Sequence, residues 1–449
     1  MSFIIGEEGM KVKVIKTIKG KTPMQEYQNY TILDDDGREN FLICLFPEIE
    51  YQEIKGFGGA FTEAASTTLD KLSQENREKI IKLYFDKEEG IGYNIGRVHI
   101  NSCDFSLGNY ACVEENDETL STFNIERDKS SVIPMIKDAM KYGKMPVFAS
   151  PWSPPAYMKT NGEMNHGGKL KKEYWELWSE YYVKFVEAYR DEGIDVFGVT
   201  VQNEPNATQR WDSCIYSAEE ERDFVKNHLG EKMRKIGAKV MFWDHNKERV
   251  VKRAKVMMDD PESAKYIDGI AVHWYTGDHF EQLDMFHKLY PETDIVFSEG
   301  CYEYCKGSAD TVKIGEKYAH DMIGNFNNYC NTFCDWNLIL NAEGGPNHVG
   351  NFCDAPIMAD TENDTVYIHD SYYYIGHFSK YVKVGAKRIG SSKCTDAIEL
   401  VSFKNPDGSI VSVVLNRGEE EKKVAFSLEG KLVDTVSEPR SISTYIFEF

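Results

Sequence analysis

The sequence predicts an α/β protein, a (β/α)8 TIM barrel with an accessory β-sandwich built from both chain termini. Between about residue 50 and residue 385, eight short apolar segments alternate with amphipathic helices, as such a barrel requires. Both ends of the chain are instead rich in strand-forming residues and carry no long helical pattern. We expect residues 1–48 to contribute N-terminal strands to the sandwich, residues 49–385 to form the barrel, and residues 386–449 to complete the sandwich.

The two chain ends contain predicted strands separated by turn signals. Asp34-Asp35-Asp36-Gly37 and Asn405-Pro406-Asp407-Gly408 have the residue types of tight turns. Around them, six strands are predicted, over Lys11–Ile15, Phe41–Leu45, Ala397–Phe403, Ile410–Leu415, Lys423–Leu428 and Ile442–Phe449. We expect these strands to pair with one another in the sandwich.

The middle of the chain supplies the barrel. The predicted barrel strands are Ile54–Phe57, Tyr93–Ile100, Met145–Ala149, Val196–Val201, Lys239–Phe242, Ile270–His273, Asp294–Phe297 and Asn331–Cys334. The clearest helix has one apolar face made by Tyr174, Trp178, Tyr181, Phe185 and Tyr189, and it stops at Gly193. Other helices are predicted over Ser73–Phe85, Ile125–Tyr142, Ala218–Ile236, Lys247–Met258 and Thr311–Asn328.

The composition makes some classes of binding partner unfavourable. The chain has 52 Lys and Arg against 73 Asp and Glu, a formal net charge of −21. Such an acidic surface repels nucleic acid and anionic lipid, so we expect neither as a partner. The sequence has no apolar run long enough to cross a bilayer, and we expect no secretory signal at its start. We therefore expect a cytoplasmic protein without stable membrane association, and its oligomeric state stays open.

Polar and aromatic residues follow the predicted barrel strands. The active site of a barrel of this kind lies at the C-terminal ends of its strands. The segments found there are Asn101–Phe105, Ser150–Pro155, Gln202–Pro205, Trp243–Asn246, His273–Tyr275, Ser298–Cys301 and Asp335–Asn337. Carboxylates, indoles and amides dominate, and the sequence contains neither a Gly-rich phosphate loop nor a G-x-S-x-G elbow.

Glu204 and Glu299 are the strongest candidates for a catalytic pair. They follow the fourth and seventh strands and should face each other across the barrel mouth. Glycoside cleavage needs two such carboxyl groups. One is protonated and donates to the leaving oxygen, and the other is ionised and either attacks or activates water. The neighbouring amide of Asn203 is placed to hydrogen-bond a sugar 2-hydroxyl.

Several other residues fit a sugar site. Trp152, Trp274 and Trp336 follow three different strands and can stack on the C–H faces of sugar rings. Arg97 lies within a strand, where an unpaired charge is costly, so we expect it to face a barrel carboxylate such as that of Glu299. His273 is typical of a buried, hydrogen-bonded histidine in a supporting position. No metal-ligand set and no cofactor motif is predicted.

Seven stretches together carry a resemblance to a known family. They are IKGFGGAFTEAAS from Ile54, RVHINSCDFS from Arg97, ASPWSPPAYMKTNG from Ala149, GVTVQNEP from Gly198, AVHWY from Ala271, FSEGCYE from Phe297 and DWNLILNAEGGPNHVGNFCDAPI from Asp335. On these motifs the chain resembles glycoside hydrolase family 30, the family of the glucosylceramidases.

The resemblance implies a glycosidase that cleaves terminal β-linked sugars with retention of configuration, through a glycosyl-enzyme. It implies that Glu204 is the general acid/base and Glu299 the nucleophile. The same matching implies a pocket for the non-reducing sugar and its support, formed by Asp104, Trp152, Asn203, Trp336, Arg97, Tyr275 and Asn351. The expected partner is a small β-glycoside or an oligosaccharide, and no cofactor is implied.

One departure affects the expected substrate. His348 stands where the glucosylceramidases have a tryptophan, in a loop that shapes the leaving-group side of the cleft. A β-glucosidase or glucosylceramidase-like activity and a β-xylosidase activity both stay open. The competing enzyme hypothesis is an endo-β-glucanase or xylanase with an open cleft. The competing non-enzyme hypothesis is a carbohydrate-binding protein, which the presence of both carboxylates disfavours.

Overall fold

The computed structural model of the chain describes residues 9–304 and 310–449, which group into two compact units. One unit comprises residues 9–55, 310–327 and 370–449, and the other comprises residues 56–304 and 328–369. The strands of the described residues are, in chain order, β1 (Lys11–Ile18), β2 (Gln25–Tyr27), β3 (Thr31–Asp34), β4 (Leu42–Glu53), β5 (Gly56–Phe61), β6 (Ile95–Ile100), β7 (Val147–Pro151), β8 (Val196–Thr200), β9 (Lys239–Asn246), β10 (Gly269–His273), β11 (Asp294–Glu299), β12 (Thr332–Asn337), β13 (Ile339–Asn341), β14 (Ile357–Asp360), β15 (Thr365–Ile368), β16 (Lys387–Ser391), β17 (Glu399–Lys404), β18 (Ile410–Asn416), β19 (Lys422–Leu428), β20 (Lys431–Ser437) and β21 (Ser441–Glu448).

Most α-helices of the described residues lie in the barrel unit. They are α1 (Glu63–Asp70), α2 (Gln74–Phe85), α3 (Glu126–Lys129), α4 (Val132–Met140), α5 (Trp175–Asp191), α6 (Ala218–Phe224), α7 (Gly230–Lys235), α8 (Val250–Met258), α9 (Pro261–Ala264), α10 (Phe280–Leu289), α11 (Thr311–Asn327) and α12 (Asp370–Ser379). Helices α11 and α12 group with the sandwich strands, and the others group with the barrel. Within the described residues, none of these helices is long and apolar enough to cross a membrane.

Strands β5 to β12 form a closed parallel barrel, in which β12 pairs back onto β5. Each of the eight predicted barrel strands overlaps one of them, so the predicted TIM barrel is confirmed. The strands approach so closely that a Cβ at Gly58 would lie 1.9 Å from the carbonyl oxygen of Ile95, and only glycine fits there. An apolar cluster contributed by five of these strands packs together, formed by Phe148, Met241, Ala271, Val296 and Cys334.

The predicted helices are present, although two are interrupted. The predicted 125–142 helix is split into α3 and α4, and the predicted 218–236 helix contains a π-helical turn at Val225–Leu229. Helices α1, α9, α10 and α12 are not predicted from the sequence. Each has ten residues or fewer, which is too short for a long apolar periodicity to be recognised.

The sandwich unit joins the two ends of the chain. Its strands run in the order β2-β1-β21-β18-β17-β16-β4-β19-β20-β3. β1 pairs with β21 antiparallel over eight positions, from Lys11 opposite Glu448 to Ile18 opposite Ser441. This pairing confirms that both termini build one sandwich. Its core includes Val14, Ile43, Leu400, Phe426 and Tyr445.

A small third sheet prolongs the barrel unit after the last barrel strand. Its strands run in the order β13-β14-β15, and β13 and β14 are parallel. The loop between β13 and β14, residues 342–356, carries Asn351 and Phe352 into the lining of the cavity described below. The sequence does not predict this sheet, because its strands have only three or four residues.

Candidate active site

A cavity of about 350 Å³ opens at the C-terminal ends of the barrel strands. Eight residues predicted to be catalytic or substrate-binding line it together: Asp104, Trp152, Asn203, Glu204, Tyr275, Glu299, Trp336 and Asn351. The two predicted supporting residues, Arg97 and His273, are fully buried and bond to side chains of this lining. The structure thus brings together residues that are distributed over 255 positions of the sequence, from Arg97 to Asn351.

Arg97 on β6 lies at the centre of a buried network of charged and polar side chains. Its Nη1 donates to Oε2 of Glu299 (2.6 Å), and its Nη2 donates to Oδ2 of Asp244 (2.7 Å) and to Oδ1 of Asn203 (2.9 Å). Nε donates to the Ser150 hydroxyl (3.1 Å). Burial lowers the pKa of Arg97, but the charges of Asp244 and Glu299 outweigh burial and raise it. The guanidinium therefore stays charged and holds the two carboxylates in place.

Glu299 is the last residue of β11 and points its two oxygens at different donors. Oε2 accepts from Arg97, and Oε1 accepts from the hydroxyl of Tyr275 (2.8 Å). Glu299 is 6% exposed, so its carboxylate meets the cavity without being surrounded by bulk water. Hydrogen bonds from a cation and a phenol hold both oxygens of this carboxylate in a fixed orientation.

Glu204 lies in the loop after β8, held by an unusual backbone conformation. Its φ is +48°, and its backbone N–H donates to the carbonyl oxygen of Asp244 (2.9 Å). Its Oε1 lies 3.2 Å from Nδ1 of His273 and 3.6 Å from Nδ1 of His245. Burial raises the pKa of Glu204, but the neighbouring imidazoles of His245 and His273 outweigh burial and lower it. The proton on this carboxyl is thus governed by two imidazoles.

His273 links the carboxylates. Its Nε2 lies 2.9 Å from Oδ1 of Asp244, and its Nδ1 is 3.2 Å from Oε1 of Glu204 and 3.8 Å from Oε1 of Glu299. Burial lowers the pKa of His273, but the charge of Glu299 and the hydrogen bonds to Asp244 and Glu204 raise it to about 9. Protonated His273 then donates to Asp244 on one side and to Glu204 on the other. Together with His245, Glu204 and His273 are also the described residues whose ligand atoms lie close enough to hold a metal ion.

Two indoles and the guanidinium form an aromatic wall. The rings of Trp152 and Trp336 stack with centroids 5.1 Å apart and planes 21° apart. The Arg97 guanidinium carbon lies 4.7 Å from the Trp152 ring centroid and 5.4 Å from that of Trp336. Both indoles are almost fully buried, yet both line the cavity. A rigid, apolar edge of this kind can pack against the C–H face of a sugar ring.

Asp104 provides a third carboxyl group, with a different environment. Its Oδ2 accepts from Nδ2 of Asn351 (3.0 Å) and of Asn347 (3.4 Å), both from the loop between β13 and β14. Burial and the charges of Glu299 and Asp212 raise the pKa of Asp104 to about 7, although the hydrogen bond from Asn351 opposes the shift. Asp104 can therefore change its protonation state near neutral pH.

Sequence reasoning missed part of the site. Asp244, which bonds both Arg97 and His273, lies in the predicted strand-end segment Trp243–Asn246, but nothing in the sequence distinguishes it from its neighbours. The cavity is also lined by Gln209, Trp211, His245, Asn246, Cys301, Glu303, Phe352 and Cys353. In the sequence, only the position of these residues, at strand ends or in loops near the mouth, could have indicated that they line the cavity. The residues in the loops carry no motif of their own.

Trp274 and His348, two side chains considered in the sequence analysis, lie outside the cavity lining. Trp274 is buried, donates its indole N–H to the carbonyl oxygen of Cys301 (3.2 Å), and is not among the described residues that line the cavity. His348 also lies outside that lining. Its Nδ1 is 3.2 Å from the carbonyl oxygen of Ser106 and its Nε2 is 3.3 Å from Oδ2 of Asp212. His348 therefore anchors the loop, and Phe352 of the same loop meets the cavity.

The family model of the glycosyl hydrolase family 30 TIM-barrel domain matches residues 54–382, and that of the family 30 beta sandwich domain matches residues 385–445. The lysosomal acid glucosylceramidase of Mus musculus is 38% identical over 431 residues, which cover 90% of this chain and 83% of the relative. Among solved structures, SrfJ from Salmonella typhimurium is similar with a TM-score of 0.92 and 38% identity, covering 97% of this chain and 99% of that one. An endo-β1,6-glucanase is similar with a TM-score of 0.87 and 28% identity, over 97% and 99% of the two chains. The chain therefore belongs to glycosyl hydrolase family 30 and is a glycoside hydrolase.

Proposed function

We propose that this glycoside hydrolase is a retaining exo-β-glycosidase that removes a terminal β-linked glucose or xylose, with Glu299 as the nucleophile and Glu204 as the general acid/base. One observation carries the proposal: Oε1 of Glu204 and Oε1 of Glu299 lie within 3.2 and 3.8 Å of the same nitrogen of His273. The two oxygens are therefore at most about 7 Å apart. That limit is compatible with the separation of about 5–5.5 Å between the carboxyl groups of retaining enzymes.

In the first step, the ionised carboxylate of Glu299 attacks the anomeric carbon while Glu204 gives a proton to the leaving oxygen. The new ester bond removes the negative charge of Glu299. Arg97 then keeps Asp244 as its remaining ionised partner, so the guanidinium is never left without an anion. Tyr275 keeps its hydrogen bond to the attacking carboxyl group and limits its rotation.

In the second step, Glu204 takes a proton from water, and the water oxygen attacks the anomeric carbon and releases Glu299. Glu204 must lose and regain a proton in each cycle, and His273 lies within hydrogen-bond distance of it. Protonated His273 favours the ionised form of Glu204 that the second step uses. When Oε2 of Glu204 carries the proton, it can donate to the leaving oxygen while Oε1 still accepts from Nδ1 of His273, so the pair is compatible with both steps.

The size and walls of the cavity support exo action. Its volume of about 350 Å³ is near the small end of the range for ligand sites, about 300–1,000 Å³. The stacked pair Trp152 and Trp336 closes one side, and Asp104 and Asn351 provide hydrogen-bonding groups for hydroxyls beside it. Such a pocket fits one terminal sugar better than the middle of a polymer. The resemblance to a glucosylceramidase supports a β-glucoside as the first substrate to try.

A second candidate is an endo-acting β-glucanase. It is favoured by the similarity to the endo-β1,6-glucanase structure and by the aromatic residues at the mouth, where Phe352 and Tyr275 are 41% and 42% exposed. An endo enzyme would bind sugar units on both sides of the scissile bond. It would therefore cleave internal bonds of an oligosaccharide faster than it releases a sugar from an aryl glycoside.

The deciding experiment is hydrolysis of p-nitrophenyl β-glucoside, β-xyloside, β-fucoside and β-galactoside by the wild type and by Glu299→Gln. Release from one sugar, lost in the variant, supports the exo-glycosidase and identifies the sugar. Proton NMR of the first product formed checks retention, because the β-anomer should appear before mutarotation. A folded wild type that is silent on the panel but shortens β-1,6-linked oligosaccharides supports the endo alternative. Sugar binding without any turnover would support a carbohydrate-binding protein.

A further inference from the structure

Three donor atoms converge beside the cavity in a pattern that acid/base chemistry does not require. Glu204, His245 and His273 each offer one ligand atom, and these atoms all lie within 4.8 Å of one another. Oε1 of Glu204 is 3.2 Å from Nδ1 of His273 and 3.6 Å from Nδ1 of His245. Donors bound to one tetrahedral Zn²⁺ at about 2.0–2.1 Å are roughly 3.3 Å apart, so two of the three spacings already suit a shared metal ion.

His245 supplies the second, independent observation. The residue is 9% exposed, and its Nδ1 is buried without a hydrogen-bond partner among the described residues. A buried imidazole nitrogen without a partner costs free energy, and such a group calls for an explanation. Its nearest charged neighbour is Glu204, and both residues line the cavity. The nitrogen therefore lies beside a carboxylate that can share a ligand with it, in a residue that lines the cavity.

His273 is held in the orientation that metal-bound histidines usually have. Its Nε2 lies 2.9 Å from Oδ1 of Asp244, which leaves Nδ1 facing Glu204. A carboxylate on the far nitrogen fixes the ring and raises its basicity as a ligand. Asp244 is itself fixed by Arg97, Ser298 and Thr200. The outer partners of a metal site are therefore already in place.

The charges around the three donors also favour a cation. Glu204, Asp244 and Glu299 all lie within 4 Å of His273, and Arg97 is the compensating guanidinium of Asp244 and Glu299. Three carboxylates against the guanidinium and the imidazolium of His273 leave a local excess of negative charge, and a metal ion on Nδ1 of His273 would take the place of its proton. A mixed nitrogen and oxygen set suits Zn²⁺, Co²⁺, Ni²⁺ or Cu²⁺, whereas Mg²⁺ and Ca²⁺ prefer oxygen ligands alone.

We propose that Glu204, His245 and His273 form a binding site for Zn²⁺ or a similar divalent transition-metal ion, with the fourth position open to the cavity, and that the bound ion blocks turnover. The inhibition rests on the proposed role of Glu204. When Oε1 of Glu204 is a metal ligand, it can neither donate a proton to the leaving oxygen nor take one from water. Metal binding itself does not depend on that role.

The test measures metal binding directly and activity separately. Isothermal titration calorimetry with ZnCl₂ is carried out on wild type, His245→Asn and the control His166→Asn. His166 lies at the surface with its Nδ1 2.8 Å from Glu163, so it reproduces one histidine–carboxylate pair without the third donor. We expect one Zn²⁺ per wild-type chain and the same affinity in His166→Asn. In His245→Asn we expect an affinity lower by at least about 100-fold, because loss of even an outer partner costs about 10–100-fold.

Activity and a spectroscopic probe complete the test. Zn²⁺ should inhibit the wild type at the concentrations at which it binds, EDTA should restore activity, and His245→Asn should resist inhibition relative to its own metal-free rate. If His245→Asn does not fold, Co²⁺ added to the wild type decides instead, because a four-coordinate site gives strong visible absorption and a six-coordinate surface site gives weak absorption. No Zn²⁺ binding, weak Co²⁺ bands, or equal affinity in wild type and His245→Asn would overturn the proposal. Zn²⁺ binding without glycosidase activity would contradict the proposed function and leave the metal site standing.

Discussion

Arg97 and Asp244 form an ion pair inside the barrel, with Nη2 of Arg97 2.7 Å from Oδ2 of Asp244 and both side chains fully buried. The same guanidinium bonds Glu299 at 2.6 Å. Removing one partner of a buried pair leaves an uncompensated charge, which is far more costly than the loss of a surface pair. Arg97 therefore contributes to the stability of the barrel and also sets the charge of the site.

Replacing Arg97 should separate these two contributions. Arg97→Met should lower the free energy of unfolding by about 3–5 kcal/mol in urea denaturation, since Asp244 and Glu299 lose their cation. Arg97→Lys keeps the charge but cannot hold two carboxylates with a planar fork. We expect it to lower kcat on the order of 10²-fold with a smaller loss of stability.

The control for this series is Arg234→Lys, which changes an exposed pair with Asp268 by the same chemistry. It should change the free energy of unfolding by less than about 1 kcal/mol and leave kcat as in the wild type. An Arg97→Lys enzyme that keeps wild-type kcat would contradict the idea that a planar fork must bond Glu299 and Asp244 at the same time.

The two glutamates should respond differently to the leaving group. Glu299→Gln removes the proposed nucleophile, so activity should be lost on every substrate. Glu204→Gln removes the proton donor, so we expect a large loss on alkyl glycosides and a small loss in the first step on activated 2,4-dinitrophenyl glycosides. Pre-steady-state kinetics should then show a burst of phenol, because the second step lacks its base.

Sodium azide provides the check on this assignment. In Glu204→Ala, azide can enter the space of the missing carboxyl group and attack the glycosyl-enzyme, and the product should be a β-glycosyl azide. An α-glycosyl azide from Glu204→Ala, with a β-glycosyl azide from Glu299→Ala, would reverse the two roles. The same loss of activity on both substrate types in Glu204→Gln would also count against it.

The sequence predicted the barrel and its two glutamates for the same physical reason. Parallel barrel strands are buried on both sides, so they appear as short apolar runs, and the polar residue that ends each run lies at the mouth. Glu204 and Glu299 can be recognised because each follows an apolar strand, and the packing of such a strand does not require an acidic residue at its end. The aromatic wall follows from the same rule, since Trp152 and Trp336 come directly after strands.

Asp244 could not be predicted in this way because its position depends on a β-bulge. Trp243 pairs with Ala271 and His245 pairs with Val272, so Asp244 is an extra residue in β9. Trp243 and Asp244 both have positive φ, +73° and +45°. The bulge changes which side chains point inward, and an alternating pattern in the sequence does not reveal it. The loops that bring Asn351 and Phe352 to the cavity also lack a periodic signal.

Arg440 offers a test of stability away from the cavity. Its Nε and Nη2 bond both carboxylate oxygens of Glu316 within the sandwich unit, at 2.6 and 3.0 Å, and both side chains are less than 10% exposed. Arg440→Met should lower the free energy of unfolding by about 3 kcal/mol, the lower end for a buried pair, because Glu316 is left without its cation. Urea denaturation measures this loss, and KM should stay as in the wild type.

The matched control is Lys387→Met, which breaks an exposed pair with Glu53 in the same unit. It should cost about 0–1 kcal/mol. If Arg440→Met and Lys387→Met lower the free energy of unfolding by the same amount, burial does not increase the contribution of the Arg440–Glu316 pair to stability.

Asp104 should give the enzyme a pH dependence near neutrality. Its pKa is raised to about 7, mainly by burial, so the carboxylate is lost as pH falls through 7. An ionised Asp104 can only accept hydrogen bonds from sugar hydroxyls, whereas the protonated form has one acceptor fewer. We expect kcat/KM to fall about tenfold per pH unit below 7, the slope for loss of one proton-dependent group.

Asp104→Asn separates this group from the others in the site. The amide has nearly the same shape but does not titrate, so the variant should be slower than the wild type near pH 8. It should also lack the fall in kcat/KM that the wild type shows below pH 7.

The contribution of Asp104 to stability should fall as pH rises, whereas activity should increase. Because the folded state binds this proton more tightly than the unfolded state, whose Asp has a pKa of about 4, the contribution of Asp104 to the free energy of unfolding falls as pH rises from about 4 to 7. Thermal melts of wild type and Asp104→Asn across this range measure that difference, and parallel curves would show that Asp104 titrates in its ordinary range.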